Sequence, residues 1–262
     1  MKRNLNPNDS KHLSNSQNFI TDIKLLRRIV NLSSITKDDI VLEIGTGKGH
    51  LTQVLCQKCG FLYSVEIDRK LIDKAKERLA PHSNLKLIHG DFLKQPLPVK
   101  GQYKVFANIP YFITTQILDK LTGAPNPPTD MWLIMEKGAA KRFLGIPKET
   151  KISLLLKVSW NMKILYYFDK CDFHPMPSVD SVLLHLTRKA EPDLGKKELA
   201  SFEKFIDHSL RCGFTGSTGL LTKKQVSTAL RLANLPPIPP SGETLYIQWL
   251  CLFRCYRKFC GG

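Results

Sequence analysis

The chain has 262 residues, 42% of them hydrophobic and 24% charged, enough for one large domain and a smaller one. Lys and Arg outnumber Asp and Glu by 39 to 23, and a net charge of +16 favours a polyanionic partner, nucleic acid first. There is no apolar run of about 18 residues and no apolar core in the polar first 16 positions, so neither a membrane span nor a secretory signal is expected.

Seven cysteines, an odd count without a secretion signal, imply reduced thiols and a cytoplasmic protein. Cys56 and Cys59 form a CxxC pair, but no second pair completes a four-ligand set, so no metal site is expected.

Residues 22–32 place Ile23, Leu26, Arg27 and Val30 at helical spacing, with Thr21 or Asp22 as the cap. Residues 39–44 are a short apolar run that reads as a buried strand. It runs into Gly45-Thr46-Gly47-Lys48-Gly49, and residues 50–58 look helical. Strand, glycine-rich turn and helix is a layout that brings backbone N–H groups close to a ligand. A second strand over 61–67 carries Glu66, 21 positions after Gly45, where a ribose diol would be held. The third glycine comes one residue too early for a dinucleotide fingerprint. With Glu43 two residues before the first glycine, the pattern is more like S-adenosylmethionine enzymes than nicotinamide enzymes.

Asp68 caps a helix that Pro81 stops, and a third strand at 84–88 ends in Gly90-Asp91-Phe92. Asp91 either caps the next turn or accepts from a cofactor adenine amine. A fourth strand, 103–107, delivers Asn108-Ile109-Pro110-Tyr111. Pro110 holds Ile109 extended, so the Asn108 side chain and the Ile109 carbonyl point the same way as two acceptors, with the Tyr111 ring beside them. Two acceptors and a flat face suit an exocyclic aromatic amine. Four strand ends on one sheet edge are where open α/β sheets bind ligands.

A fifth strand at 130–136 precedes Lys137, Lys141 and Arg142, which recur at helical spacing as a phosphate-contacting or simply solvated face. Residues 152–158 read as a core helix, and 162–168 and 182–186 as two closing strands around a loop at 173–177. After a linker at 191–195, residues 196–211, 222–233 and 244–258 read as three helices of a small α domain. That tail carries ten Lys or Arg against six Asp or Glu, so most of the basic field belongs to residues 1–189.

Gln17-Asn18-Phe19, the run from Glu43 to Gly49, Glu66, Asp91, Asn108-Ile109-Pro110-Tyr111, residues 135–143 and residues 173–181 together resemble the ribosomal RNA adenine-N6 dimethyltransferases. Within them the chain is most similar to the Erm branch, through Ser16 before Gln17, Ile109 before Pro110, and Lys137-Gly138 with Lys141-Arg142. The resemblance implies a class I, Rossmann-like α/β methyltransferase sheet of seven strands with the last antiparallel. Residues 1–189 would form this catalytic domain and residues 190–262 a helical domain.

It also implies S-adenosylmethionine as cofactor and, as partner, an adenine in the peptidyl-transferase loop of 23S rRNA. The outcome would be resistance to macrolides, lincosamides and streptogramin B, from a monomer free of membranes. Asn18 and Ile20 would lie near the donor's methionine end, and Gly45 and Gly47 against its backbone. Glu66 would take the ribose, Asp91 the adenine amine, and Asn108 would bridge donor and acceptor. Tyr111 would stack on the target adenine, with Phe173 on its other face, and Lys137, Lys141 and Arg142 would hold RNA. Ser178 stands where many relatives have Lys. The rival readings are a small-subunit rRNA adenine dimethyltransferase and a non-catalytic nucleic-acid-binding factor derived from this fold.

Overall fold

The structure is a computed structural model that describes residues 18–97 and 100–260. The Ser16 and Gln17 positions of the resemblance lie outside the described residues. The chain divides into two compact units, Met1–Ala140 with Met162–Arg188, and Lys141–Asn161 with Lys189–Gly262.

The first unit is built on a seven-stranded sheet with a separate two-stranded ribbon. Its elements begin with β1 (Phe19–Ile20), α1 (Ile23–Asn31), β2 (Ile40–Ile44), α2 (His50–Lys58), β3 (Phe61–Glu66), α3 (Arg69–Leu79) and β4 (Leu85–His89). There follow β5 (Lys104–Asn108), α4 (Thr114–Thr122), β6 (Asp130–Glu136) and the helix α5 (Lys137–Leu144), which continues past Ala140. Beyond the helix α6 (Lys151–Ser159) the chain gives β7 (Trp160–Phe168), β8 (Phe173–His174) and β9 (Ser181–Arg188).

The seven-stranded sheet has the order β4-β3-β2-β5-β6-β9-β7. β2 is parallel to both β3 and β5, β3 to β4 and β5 to β6, while β9 runs antiparallel to β6. This is the Rossmann-like sheet with an antiparallel last strand that the resemblance implies. The strand order reverses between β2 and its neighbours β3 and β5, so the loops after those strands open a crevice on one edge.

Local chemistry accounts for the elements. Asp22 caps α1 by accepting from the Lys24 and Leu25 amides, and Leu25, Leu26, Ile29 and Val30 are its buried stripe. Asp68 caps α3 in the same way through the Lys70 amide. Val41 and Leu42 of β2 and Val105, Phe106 and Ala107 of β5 are fully buried, as expected of central parallel strands covered on both faces. Trp132 stacks between Phe106 and His185, with ring centroids at 6.3 and 4.7 Å. Burial of each such side chain contributes roughly 1.5–3 kcal/mol.

The second unit holds α6, α7 (Lys196–Cys212), α8 (Lys223–Leu232) and α9 (Tyr246–Cys260). Its core is aromatic: Phe202, Phe205 and Phe253 are buried against one another, with Trp249 edge-on to Phe205. The expected division at residue 189 therefore differs from the observed one by the segment Lys141–Asn161. The reason is packing: Leu154 and Val158 of α6 are buried in the same apolar cluster as Phe202 and Phe253. Thr150 and Ser153 close a capping box at the start of α6, and the Lys157 ammonium pairs with Glu149. No helix of the described residues is long and apolar enough to cross a membrane.

Candidate active site

One pocket collects the ends of β2, β3, β4 and β5, and Asn18, Ile20, Gly45, Gly47, Glu66, Asp91, Asn108, Ile109, Pro110 and Tyr111 all line it. After β2 the chain turns through Gly45 at φ +86° and Gly47 at φ +55°, a region open to glycine at no steric cost. A Cβ on Gly47 would stand 2.7 Å from the Phe19 ring. That ring belongs to β1, which pairs with β8 in a separate two-stranded ribbon, and the Lys48 ammonium lies 5.2 Å from its centroid.

Glu66, 3% exposed, anchors this turn. Its Oε2 accepts from the Gly47 amide at 2.9 Å, and its Oε1 from the Ile67 and Asp68 amides, both at 2.9 Å. A carboxylate offers about four acceptor sites, so roughly one remains on Oε2 for an incoming hydroxyl.

Beneath the turn lies Glu43, fully buried. Its Oε2 accepts from Ser64 Oγ at 2.6 Å, and Ser64 Oγ in turn meets Thr46 Oγ1 at 2.5 Å. Burial pushes the Glu43 carboxyl up to about 8; the Ser64 and Thr52 hydroxyls oppose this and the nearby Glu66 charge adds to it. In the sequence Glu43 stood out only by its place before the first glycine; its neutrality follows from the depth of β2, which no motif reports.

Asp91 divides its two oxygens. Oδ1 accepts from the Leu93 amide at 2.9 Å, as a turn-capping residue does. Oδ2 is buried without a hydrogen bond, the Lys94 ammonium standing 3.6 Å away. The turn is held from outside by Lys120, whose ammonium donates to the Phe92 and Gln95 carbonyls and lies 4.8 Å from the Phe92 centroid.

At the end of β5, Asn108 Nδ2 donates to the Asn18 carbonyl at 2.8 Å. This fixes the amide orientation and leaves Oδ1 as the acceptor. The Ile109 amide donates to the Ile134 carbonyl of β6 at 3.1 Å, and Pro110 is extended at φ −61°, ψ 130°. The Tyr111 hydroxyl meets Ser181 Oγ at 2.6 Å, which pins the ring beside these acceptors.

Phe173 is not on the pocket. It is 1% exposed and packs edge-on against Phe168, with centroids 5.3 Å apart. As Ile20 of β1 pairs with Phe173 of β8, the strand alternation turns this ring into the core and leaves His174 outside. In this structure the ring therefore faces the core and not the pocket. Lys137, Lys141 and Arg142 lie on α5; Lys141 and Arg142 are exposed and Lys137 half-buried, and none lines the pocket. Among the described residues no group of His, Cys, Asp and Glu has the arrangement of a metal site, and the Cys56 and Cys59 thiols are buried and pushed up to about 12 and about 11 by that burial.

The groups present suit a nucleoside-bearing methyl donor: a buried Asp91 oxygen that accepts no hydrogen bond, one open Glu66 position and a glycine cradle too tight for any Cβ at Gly47. Sheet and site together define an S-adenosylmethionine-dependent methyltransferase. The family model for ribosomal RNA adenine dimethylases matches residues 8–226, and the chain belongs to that family.

It is 38% identical to an rRNA adenine N-6-methyltransferase of Bacillus anthracis over 264 residues, 98% of this chain and 91% of the relative. It is 34% identical to one from Lysinibacillus sphaericus, over 95% of this chain and 98% of that one. Among solved structures it is similar to the 23S rRNA methyltransferase ErmE, with a TM-score of 0.79 and 28% identity over 91% of this chain and 99% of the other.

Proposed function

We propose that this methyltransferase modifies the exocyclic N6 of an adenine in the peptidyl-transferase loop of 23S rRNA and so confers resistance to macrolides, lincosamides and streptogramin B. The observation that carries the reading is the acceptor pair at the end of β5. With Asn108 Nδ2 committed to Asn18, Asn108 Oδ1 and the Ile109 carbonyl are the groups that would accept the two protons of an aromatic amine. The likeness to ErmE supports 23S rRNA as the target.

The amine is a poor nucleophile because its lone pair is delocalised into the ring. Two acceptors placed out of the ring plane favour a tetrahedral nitrogen and return the lone pair to it. Tyr111, held through Ser181, supplies the stacking face that keeps the base in line. The cofactor supplies an electrophilic methyl on a sulfonium, already an excellent leaving group.

Asn18, Ile20, Gly45 and Gly47 would cradle its amino-acid and backbone side, Glu66 its ribose hydroxyls through the open Oε2 site, and Asp91 Oδ2 its adenine amine. Catalysis is then positioning and preorganised dipoles, with no side-chain general base required; the extra proton leaves the nitrogen after transfer. After one transfer the amine retains a proton and re-enters. We place this chemistry in the first unit and RNA contacts on α5, through Lys137, Lys141 and Arg142. The protein would act as a cytoplasmic monomer.

The test is an RNA hairpin whose target nucleotide is adenosine, N6-methyladenosine or purine riboside. Adenosine should accept two methyls, the methylated base one and the base without an amine none. Equal labelling of all three would mean the amine is not the acceptor.

A further inference from the structure

Outside the pocket, β7 ends in an exposed aromatic that the chemistry above does not use. Tyr167 is 60% exposed, while its neighbour Phe168 is buried, as strand alternation requires. The Lys137 ammonium lies 5.8 Å from the Tyr167 ring centroid. Lys137 also pairs with Asp180 Oδ2 at 3.3 Å, and its amide donates to the Asp180 carbonyl at 2.8 Å. From the other side the Lys170 ammonium stands 4.0 Å from Asp180 Oδ1 and donates to the Ser178 carbonyl at 2.7 Å. Asp180 is thus a bridge between two ammonium groups, of which the Lys137 one lies against the open ring. The next residue, Ser181, is the one that meets the Tyr111 hydroxyl of the pocket. A continuous path of contacts therefore joins the pocket to this platform: Tyr111, Ser181, Asp180, Lys137, Tyr167.

We infer that Tyr167 is a stacking platform for an unpaired RNA base flanking the target adenine, with Lys137 and Lys170 facing the phosphates on either side of that base. The inference rests on the proposed RNA substrate and deepens it. An adenine whose two amine protons are both taken by Asn108 and Ile109 has left its base pair, so its neighbours have lost a stacking partner. An exposed ring replaces that partner for any base, since every base has a flat face, and adjacent ammonium groups supply the charge complement of the backbone. A net charge of +16 makes a polyanion, rather than a protein surface, the occupant such a ring and lysine pair would meet.

The experiment uses the full chain and a hairpin carrying the target adenine in its loop, with 2-aminopurine at the nucleotide before or after it. On wild-type binding, fluorescence at one flanking position should quench. Tyr167→Ala should abolish that quench and weaken RNA binding about 5- to 100-fold, while leaving the affinity for S-adenosylmethionine as it was. Tyr167→Phe should recover most of the RNA affinity and the quench, because the ring and not the hydroxyl stacks; a Tyr167→Leu variant that recovers as much would overturn the stacking role. If the wild type methylates the hairpin and Tyr167→Ala matches it in quench and RNA affinity, this inference falls and the proposed function stands. If the wild type neither binds nor methylates it, both fall.

Discussion

Asn108 is the residue on which the proposed chemistry turns. Its side chain has one donor end, spent on Asn18, and one acceptor end, which is the part the reaction uses. Asn108→Ala should therefore bind S-adenosylmethionine with little change but lose methyl transfer by on the order of 10²–10³-fold, the usual effect of removing one preorganised polar group. Single-turnover rates and donor titration separate the two effects, and wild-type turnover in the variant would remove Asn108 from the mechanism. Tyr111 behaves differently. Tyr111→Ala removes the stacking face and should lose about 1–3 kcal/mol of transition-state stabilisation. Tyr111→Phe keeps the ring and gives up only the tether to Ser181, so its kcat/KM should fall much less; equal losses would assign the role to the hydroxyl.

The place of both residues on the pocket was legible in the sequence, because Pro110 constrains the backbone beside them and the local device needs only four consecutive residues. Phe173 was not legible as a core residue: its direction depends on its pairing with Ile20, more than 150 positions earlier, and one step of strand register decides which face it takes. Nor did the sequence reveal how completely backbone amides occupy Glu66, since they come from a turn whose shape only the fold sets.

Two elements carry predictions of their own. α5 presents Lys141 and Arg142 to solvent. Reversing both to Glu should weaken RNA binding and flatten its salt dependence, by roughly one to two units of the logarithmic slope for two lost phosphate contacts. A filter-binding series across salt concentrations reads this directly, and an unchanged slope takes α5 out of the interface.

β2 carries Glu43, held neutral in the fold up to about pH 8 but ionised above its ordinary value near 4.5 in the unfolded chain. Between those values the folded state binds the proton and the unfolded state does not. Stability should then fall as pH rises through that window and level off above it. Glu43→Gln, which mimics the protonated acid, should remove this contribution to the slope in urea titrations at pH 5.5 and 8.5; parallel pH profiles for the two proteins would mean that Glu43 is ionised in its burial site. Strand and helix positions were largely readable here, since the central strands are continuous apolar runs and the helices bear clear caps at Asp22 and Asp68. The charge state of Glu43 was not, because desolvation is a property of the surrounding layers.

At the scale of the whole chain, the seven-stranded sheet and its antiparallel last strand were legible through the family resemblance that the accumulated motifs carry, rather than through any one of them. The boundary between units was less so: α6 reads as a core helix from its sequence, but which core it joins depends on Leu154 and Val158 meeting aromatics from far along the chain. Which RNA the site addresses is read by incubating the protein with labelled S-adenosylmethionine and protein-free 23S or 16S rRNA, then mapping the label. The expected result is label on one adenine of the 23S peptidyl-transferase loop, with drug resistance in a cell that expresses the protein. Label on adenines near the 3′ end of 16S rRNA, and none on 23S, would contradict it.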